Sequence, residues 1–385
     1  MANRGSPGHD PSPSHCLSWL SPNLHRTLCL APSMNYDAYE IRRFVSQLFQ
    51  AHAVGREEAD RIAESLVESN LHGHDSHGIT LARWYLSQLE TGELVAGVPL
   101  EIRRDLPGAL WADAQLGFGQ VQCHRFVELC CRKAETAGAV CGSLDRCGHV
   151  GRLGEWVEQA ARRGFAALMA VNDNGAVYTV APPGGLDRCL STNPIGVGIP
   201  TRDEPIVLDM STSTVANGKL KLARLAGRPV APGLIQDAEG HPTTDPGVML
   251  ADPPGALRSF GGDQAYKGFG LGLVFDILAA GLSGGHCPPG VAGGVEYNNV
   301  LLVVWNPELF AGTEHWLQQA EGLTGFIRSS RRQPGAGPMR LPGDRGHALK
   351  RQRQVEGLPL DDAMLNPLRE IAARVGVAPP AALPG

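Results

Sequence analysis

Residues 71–85 read LHGHDSHGITLARWY, and the rest of the chain is organised around this stretch. Polar, titratable side chains fill five of the six positions from 72 to 77. They are His72, His74, Asp75, Ser76 and His77. Such side chains can supply a proton acceptor, a proton donor, a metal ligand and an orienting carboxylate at close quarters. The stretch therefore predicts a functional site.

The residues before this stretch predict two amphipathic helices. Apolar residues at 41, 44, 45, 48 and 49, and again at 62, 63, 66 and 67, follow the spacing of a buried helix face. Gly73 marks the predicted end of the second helix, so the polar cluster should project from a helix C-terminus and the following loop. Residues 1–33 are rich in Pro, Ser and His and predict a disordered extension, with a targeting peptide as the weaker alternative.

The residues after the stretch alternate between helical and strand patterns. Helices are predicted over 118–137, 153–163, 316–327 and 361–375, and strands over 139–144, 165–171, 206–210 and 300–305. This alternation predicts a mixed α/β core.

Composition excludes two classes of partner. With 34 basic and 39 acidic residues the formal charge is −5, and there is no basic block of the kind that nucleic-acid binding requires. No apolar run approaches the roughly 20 residues of a membrane span. The nine cysteines show no CxxC pair, so reduced thiols and a cytoplasmic location are expected rather than a zinc ribbon or a disulfide framework.

The glycine and histidine patterns do not match two common motifs. Gly268, Gly270 and Gly272 alternate strictly and follow a lysine rather than a strand, so they lack the GxGxxG spacing of a Rossmann fingerprint. The order HxHDxH at 72–77 lacks the HExxH geometry of a zinc site on a helix. No metal site is predicted, although metal binding and capping of helix carbonyls stay open as roles for these histidines.

His149 is the second candidate. It lies between glycines in SLDRCGHVGR, at 143–152, after a predicted strand and before a predicted helix, where it should project into a crevice. A histidine with a pKa of about 6.5 can take a proton from an alcohol at neutral pH. The neighbouring Arg146 and Arg152 are available to bind a carboxylate, which favours function over a structural role in the turn.

Seven motifs, in order, resemble those of the malate/L-lactate dehydrogenase family. They are HGHDSHG (72–78) with Tyr85 downstream, GHVGRLG (148–154), STNPIGVGIP (191–200), LDMSTSTVANGK (208–219), HPTTDP (241–246), YKGFGLGL (266–273) and LPGD (341–344). This family is distinct from the Rossmann lactate dehydrogenases. It includes ureidoglycolate, sulfolactate and hydroxycarboxylate dehydrogenases and some cyclic-imine carboxylate reductases, and the resemblance is closest to the hydroxycarboxylate dehydrogenase subgroup.

The resemblance implies an α+β, non-Rossmann NAD(P)-binding fold with a largely antiparallel central sheet. A helical N-terminal region, 34–106, should pack with residues 306–385, and residues 107–305 should form the cofactor- and substrate-binding α/β domain. The active site should lie at a homodimer interface. The cofactor should be NAD or NADP, with NAD slightly preferred.

The resemblance also implies roles for individual residues. His149 matches the family's proton acceptor, Ser76 and His77 match residues that line the nicotinamide and the substrate, and Tyr85 matches a substrate-side hydroxyl. Residues that fall in cofactor-contacting segments are Asp173, Leu208, Asp209, Met210, Ser211, Lys267, Pro342, Gly343 and Asp344.

One departure concerns the substrate carboxylate. Many members carry an arginine where Leu81 stands, and its guanidinium would hold the carboxylate with two hydrogen bonds. The hydroxycarboxylate dehydrogenase subgroup has an apolar residue there and carries the GR of GHVGRLG. Arg152 is therefore the expected carboxylate-binding residue.

The expected reaction is hydride transfer between NAD(P) and a small 2-hydroxy acid or 2-oxo acid. It needs His149 as base, Arg152 as anchor and Ser76 or His77 as a donor beside the developing carbonyl. Asp75 either fixes an imidazole tautomer or caps a turn. The alternatives are reduction of a cyclic imine carboxylate, a metal-dependent hydrolase that uses the histidine cluster, and a non-catalytic homologue.

Overall fold

The computed structural model of the chain describes residues 34–291 and 295–383, so the extension predicted over residues 1–33 lies outside the described residues. The helices in this part of the chain are α1 (Ala38–Ala51), α2 (Arg56–Leu71), α3 (Ala82–Thr91), α4 (Gly119–Ala137), α5 (Leu153–Arg162), α6 (Asn217–Leu225), α7 (Tyr266–Ser283), α8 (Thr313–Arg328), α9 (Asp344–Glu356) and α10 (Asp362–Val375). The strands are β1 (Met34–Tyr36), β2 (Glu101–Leu106), β3 (Ala109–Asp113), β4 (Ala139–Cys147), β5 (Ala166–Asn172), β6 (Ile195–Ile199), β7 (Ile206–Met210), β8 (Ile235–Gln236), β9 (Pro242–Thr243), β10 (Ala256–Leu257), β11 (Asn298–Trp305) and β12 (Leu358–Leu360).

Seven strands form one sheet in the order β2, β3, β4, β11, β5, β6, β7. Every neighbouring pair is antiparallel except β3 and β4, which run parallel. β11 takes the central position because its sequence, NNVLLVVW, can be buried on both faces, and six of its eight residues are buried. The predicted α+β class with a largely antiparallel central sheet is confirmed.

Helices cover both faces of this sheet. On one face α4 and α5 share a hydrophobic cluster with alternate residues of β11, Val300, Leu302 and Val304. On the other face Asp276 of α7 accepts a hydrogen bond of 2.9 Å from Asn172, which follows the clustered residue Val171 along β5. Because successive side chains of a strand point to opposite faces, α7 packs on the face opposite α4 and α5.

α7 is the one helix of the described chain that is long and apolar enough to cross a membrane, judged by length and composition alone. This is weak support for a membrane span, since core helices of water-soluble proteins pass the same test. Asp276, near the middle of α7, is 1% exposed and also binds Asn193 at 2.7 Å, as expected of a helix packed on a sheet. Glycines and Asp276 interrupt the apolar residues of this helix, so the sequence contains no unbroken apolar run of the length of a membrane span here.

A second hydrophobic cluster joins the N-terminal helices to the C-terminal helix. It includes Phe44 of α1, Leu66 of α2, Tyr85 of α3 and Leu368 of α10. β1 pairs antiparallel with β12, which adds a short backbone connection between the two ends. The division of the chain into regions with boundaries at residues 106 and 306 stays a prediction.

No helix is predicted from the sequence between residues 327 and 361, a stretch rich in basic residues, glycine and proline, yet α9 lies within it. Its sequence, DRGHALKRQRQVE, has only His347 buried, so it shows no repeating apolar face from which a helix could be predicted. The predicted helices at 118–137, 153–163, 316–327 and 361–375 and the strand at 206–210 are confirmed to within a few residues. β4 extends the predicted strand at 139–144 as far as Cys147.

Candidate active site

Asn70 holds the polar stretch in place. Its side chain is fully buried at the end of α2, where Oδ1 accepts from the backbone N–H of Ile79 at 2.9 Å and Nδ2 donates to Asp75 at 2.8 Å. A Cβ atom at Gly78 would overlap the Asn70 carboxamide, so the loop can approach the helix only with glycine there. The stretch therefore follows a helix C-terminus, as predicted, and passes through short 3₁₀ turns at Asp75–His77 and Ile79–Leu81 before α3.

Asp75 takes part in the hydrogen bonds by which Asn70 holds the polar stretch in place. Its carboxylate accepts from Asn70 and, at 3.1 Å, from Arg353 of α9, and its backbone oxygen accepts from Thr80 at 2.9 Å. Among the described residues its partners include no imidazole. Of the two roles that the sequence leaves open for Asp75, stabilising the turn is the one these contacts support.

Four of the predicted site residues meet in one place. Ser76 Oγ lies 3.0 Å from His77 Nδ1, the His77 ring stacks on the His149 ring at 5.8 Å, and His149 Nδ1 lies 2.7 Å from Tyr85 Oη. Trp84, which the sequence analysis missed, packs its edge against the His149 ring at 5.4 Å. This group can offer a hydroxyl, two imidazoles and a phenol to one small molecule.

His149 is held where β4 ends and the chain turns towards α5. The backbone N–H of Val150 donates to Asn298 at 2.9 Å, and the Trp156 indole donates to the Val150 carbonyl at 2.9 Å. A Cβ at Gly119, the first residue of α4, would overlap the His149 backbone, so this turn lies directly on the start of α4. The imidazole is thereby placed by the sheet and by two helices.

Burial controls the charge of the site. Burial, then the nearby charge of His77 and of Lys221, lowers the pKa of His149 to about 3. Burial also lowers the pKa of His77 and lowers that of His74 to about 4, although the carboxylate of Asp209 opposes both changes. These imidazoles are consequently neutral at physiological pH, which is the state in which an imidazole can accept a proton.

Gln120 is a further residue of the site that the sequence analysis missed. It is fully buried, and its Nε2 donates to Tyr85 Oη at 2.9 Å and to the His149 carbonyl at 3.1 Å. A single glutamine near the start of a predicted helix carries no motif of its own. Only the fold brings α4 to the end of β4, so the sequence offers no signal for this contact.

His72 makes its described contacts with residues outside the His149 group. Its Nδ1 hydrogen-bonds the Glu68 carbonyl at 2.9 Å, and its Nε2 lies 3.7 Å from Glu158 of α5. His72, Glu158 and His347 place one potential metal-ligating atom each within 4.8 Å of one another. Glu158 is also paired with Arg162 at 2.7 Å, and this guanidinium opposes a cation at that position.

The two arginines near His149 differ in their surroundings. Arg146, predicted to be available to a carboxylate, instead donates to the buried Asp113 through Nε at 3.1 Å, so that expectation is corrected. Arg152 is 5% exposed, its Nε has no partner, and its one hydrogen bond to a described residue is a long contact of 3.5 Å to Glu158. A buried guanidinium with so few partners has donors left for an anion.

Most of the predicted cofactor residues lie on or beside β7. Leu208, Asp209 and Met210 end this strand, and Ser211 follows it. The backbone N–H of Val207 donates to the carbonyl of Pro342 at 3.2 Å, which places the Pro342–Gly343 turn alongside β7. Asp209 also accepts from the backbone N–H of Gly154, at the start of α5, at 2.8 Å.

The other predicted cofactor residues have separate settings. Asp344 begins α9 and pairs with Arg328 at 3.1 Å. Asp173 follows β5; burial raises its pKa to about 7, and its Oδ1 has no partner among the described residues. Lys267 is exposed near the start of α7, with its ammonium 5.9 Å from the centre of the Tyr266 ring. Among the described residues no hydrogen bond joins Lys267 to the predicted cofactor residues on or beside β7.

Residues 36–369 match the malate/L-lactate dehydrogenase family. The chain belongs to this family. It is 33% identical over 352 residues to hydroxycarboxylate dehydrogenase B of Escherichia coli O157:H7, with 89% of this chain and 94% of the relative covered. It is 34% identical over 334 residues to a (2R)-3-sulfolactate dehydrogenase (NADP(+)) of Chromohalobacter salexigens, with 84% and 93% covered. The crystal structure of delta1-piperideine-2-carboxylate reductase from Pseudomonas syringae pv. tomato matches with a TM-score of 0.76 at 30% identity, over 88% of this chain and all of that one.

Membership of the malate/L-lactate dehydrogenase family confirms the predicted class of enzyme. This class is an oxidoreductase that acts on the CH–OH group of small 2-hydroxy acids with NAD or NADP.

Proposed function

We propose that the chain transfers hydride between NAD(P) and a small 2-hydroxy acid or its 2-oxo acid, with His149 exchanging the hydroxyl proton. The observation that supports this proposal is that His77, Tyr85 and Trp84 all contact the His149 ring. His77 and Tyr85 can exchange protons, and the His149 imidazole between them is neutral. Hydroxycarboxylate dehydrogenase B is the model for the substrate class. A small carboxylate is thus the proposed ligand.

The chain's own groups then have separable tasks. In the oxidative direction His149 takes the proton of the substrate hydroxyl, because burial keeps its imidazole uncharged. Ser76 or His77 donates to the oxygen that becomes a carbonyl, because one proton of this pair is used in their mutual hydrogen bond and one is left for the substrate. The Trp84 and Tyr85 rings pack beside the His149 ring, and the buried Tyr85 shields that side of the imidazole from water.

The residues present fit a nicotinamide dinucleotide. Asp173 has a buried carboxylate oxygen without a partner among the described residues, so it has capacity for a polar ligand. We propose that the cofactor is held by Asp173, by residues 208–211, by Lys267 and by the turn at 342–344. When bound, its nicotinamide ring supplies the hydride acceptor or donor. The mainly antiparallel sheet supports a non-Rossmann mode of binding, since Rossmann sites lie at a switch point between parallel strands.

We propose a homodimer in which α7 forms part of the interface. Its outward side exposes apolar side chains, including Leu273, Val274 and Ile277, which are 40–54% exposed. A continuous apolar surface of this kind is usual at subunit contacts.

We also propose a cytoplasmic location, supported by the free thiols of the seven cysteines among the described residues. Cell fractionation tests this location.

A substrate panel tests the proposed function. Purified protein is assayed for oxidation of NADH and of NADPH with small 2-oxo acids, and separately with pyrroline and piperideine carboxylates. We expect turnover with at least one 2-oxo acid, unaffected by exhaustive chelation of metal ions. Faster turnover of the cyclic imines would favour the second candidate function, which is supported by the likeness to the piperideine carboxylate reductase. Loss of all activity on chelation would favour a metal-dependent enzyme instead.

Replacement of Arg152 tests the carboxylate anchor. If Arg152 binds the substrate, Arg152→Ala should raise the substrate KM by roughly 10- to 100-fold, as expected for loss of a charge-assisted contact, and change the cofactor KM much less. Lys221→Ala is the comparison, because Lys221 is exposed on α6 and is the cation whose charge reaches His149. The role of Arg152 would be contradicted if Arg152→Ala changed only the cofactor KM while Lys221→Ala raised the substrate KM. Lys221 would then be the residue that binds the substrate carboxylate.

Replacement of apolar residues on α7 tests the homodimer. Sedimentation of the wild-type chain should give twice the 40.9 kDa mass of one chain, and Ile277→Asp should shift the protein towards monomer. Val355→Asp is the control, because Val355 is an 87% exposed apolar residue on α9. A monomeric wild-type protein, or equal effects of the two substitutions, would contradict the proposed interface.

A further inference from the structure

The orientation of the Gln120 carboxamide follows from its neighbours. A backbone carbonyl can only accept a hydrogen bond, so the group 3.1 Å from the His149 carbonyl must be the amide nitrogen of Gln120. The same nitrogen lies 2.9 Å from Tyr85 Oη. The phenol oxygen therefore accepts one hydrogen bond from Gln120.

The phenol proton of Tyr85 then has one place to go. Tyr85 is 1% exposed, and among the described residues the other polar atom within hydrogen-bond distance of Oη is His149 Nδ1, at 2.7 Å. A buried hydroxyl rarely leaves its proton unpaired. Tyr85 accordingly donates to Nδ1, and Nδ1 is the unprotonated nitrogen of the neutral ring.

We propose that Gln120 is a positioning residue which, through Tyr85, keeps the proton of His149 on Nε2. This inference rests on the proposed function only for its catalytic meaning. In the resting protein His149 offers an N–H donor, which suits the carbonyl oxygen of a 2-oxo acid. To take an alcohol proton on Nε2, His149 must first carry its own proton on Nδ1, which breaks the hydrogen bond from Tyr85 and leaves the phenol proton without another acceptor among the described residues.

The arrangement also resists a second proton on His149. An imidazolium would direct an Nδ1–H at Tyr85 Oη, where the phenol proton already lies and where Gln120 already donates. Without the Gln120 amide, the phenol can rotate and accept from Nδ1–H, which stabilises the protonated ring. Loss of Gln120 should therefore raise the pKa of His149. Because the oxidative reaction needs the neutral ring, activity should then be lost at a higher pH as the pH falls.

The test compares Gln120→Leu with Gln122→Leu. Gln122 is the matched control, because it is also fully buried near the start of α4 but donates to the Val98 carbonyl at 3.0 Å instead of to the site. The pH dependence of kcat/KM for hydroxy-acid oxidation should move upward by about one pH unit or more in Gln120→Leu, a roughly tenfold loss at low pH, and should not move in Gln122→Leu. Coinciding profiles for the two variants would overturn the proposal.

A spectroscopic measurement tests the tautomer of His149 in the wild-type protein without catalytic turnover. Nitrogen-15 NMR of histidine-labelled wild-type protein reports which ring nitrogen carries the proton, and the His149 signals are those absent from His149→Asn. We expect a neutral ring protonated on Nε2. A ring protonated on Nδ1 would overturn the proposed role of Gln120. A ring protonated on Nε2 in a protein without dehydrogenase activity would agree with that role and would contradict the proposed function.

Discussion

The hydrogen bond between Tyr85 and His149 joins the two halves of the structure. Tyr85 lies on α3 inside the hydrophobic cluster of the N- and C-terminal helices, and His149 follows the sheet strand β4. Their 2.7 Å contact forms only when both hydrophobic cores are folded and packed against each other in the native arrangement. The hydrogen bonds of Asn70 fix the polar stretch that precedes α3, and the close approach of α4 fixes the turn that carries His149. Both features help to position the two side chains of this contact.

Burial is the constraint that gives the contact chemical meaning. A histidine in water titrates near pH 6.5 and would be partly charged at neutral pH. Inside this site the pKa of His149 falls to about 3, so the ring stays neutral and can exchange a proton with a substrate. Hydrogen bonds within the site, rather than nearby carboxylates, then decide which nitrogen carries the proton.

The sequence predicts the fold well where one physical signal dominates. The apolar run of β11 and the amphipathic faces of α1 and α2 predict buried elements, and the structure confirms them. α9 could not be predicted because its contacts involve polar side chains such as His347 and Arg353. Amphipathic periodicity detects apolar faces only.

The candidate site shows the same division. Ser76, His77 and His149 stand out because titratable residues between glycines are rare in a packed core, and family motifs add Tyr85. Gln120 and Trp84 could not be found, since their importance comes from distances that only the folded chain defines. Arg146 was assigned wrongly because the sequence does not reveal that Asp113, on the neighbouring strand β3, takes up its guanidinium.

Deuterium transfer tests most directly whether the chain moves hydride with His149 as the proton acceptor: the label is followed from a cofactor deuterated at the transferring position into a 2-oxo acid. We expect one deuterium at C2 of the hydroxy acid that the wild-type protein forms in a single turnover. We expect the same label in His149→Ala at a rate roughly 10²- to 10⁴-fold lower, with cofactor binding nearly unchanged. An unlabelled product would contradict hydride transfer from the cofactor, and a normal rate of labelling by His149→Ala would contradict the role of His149.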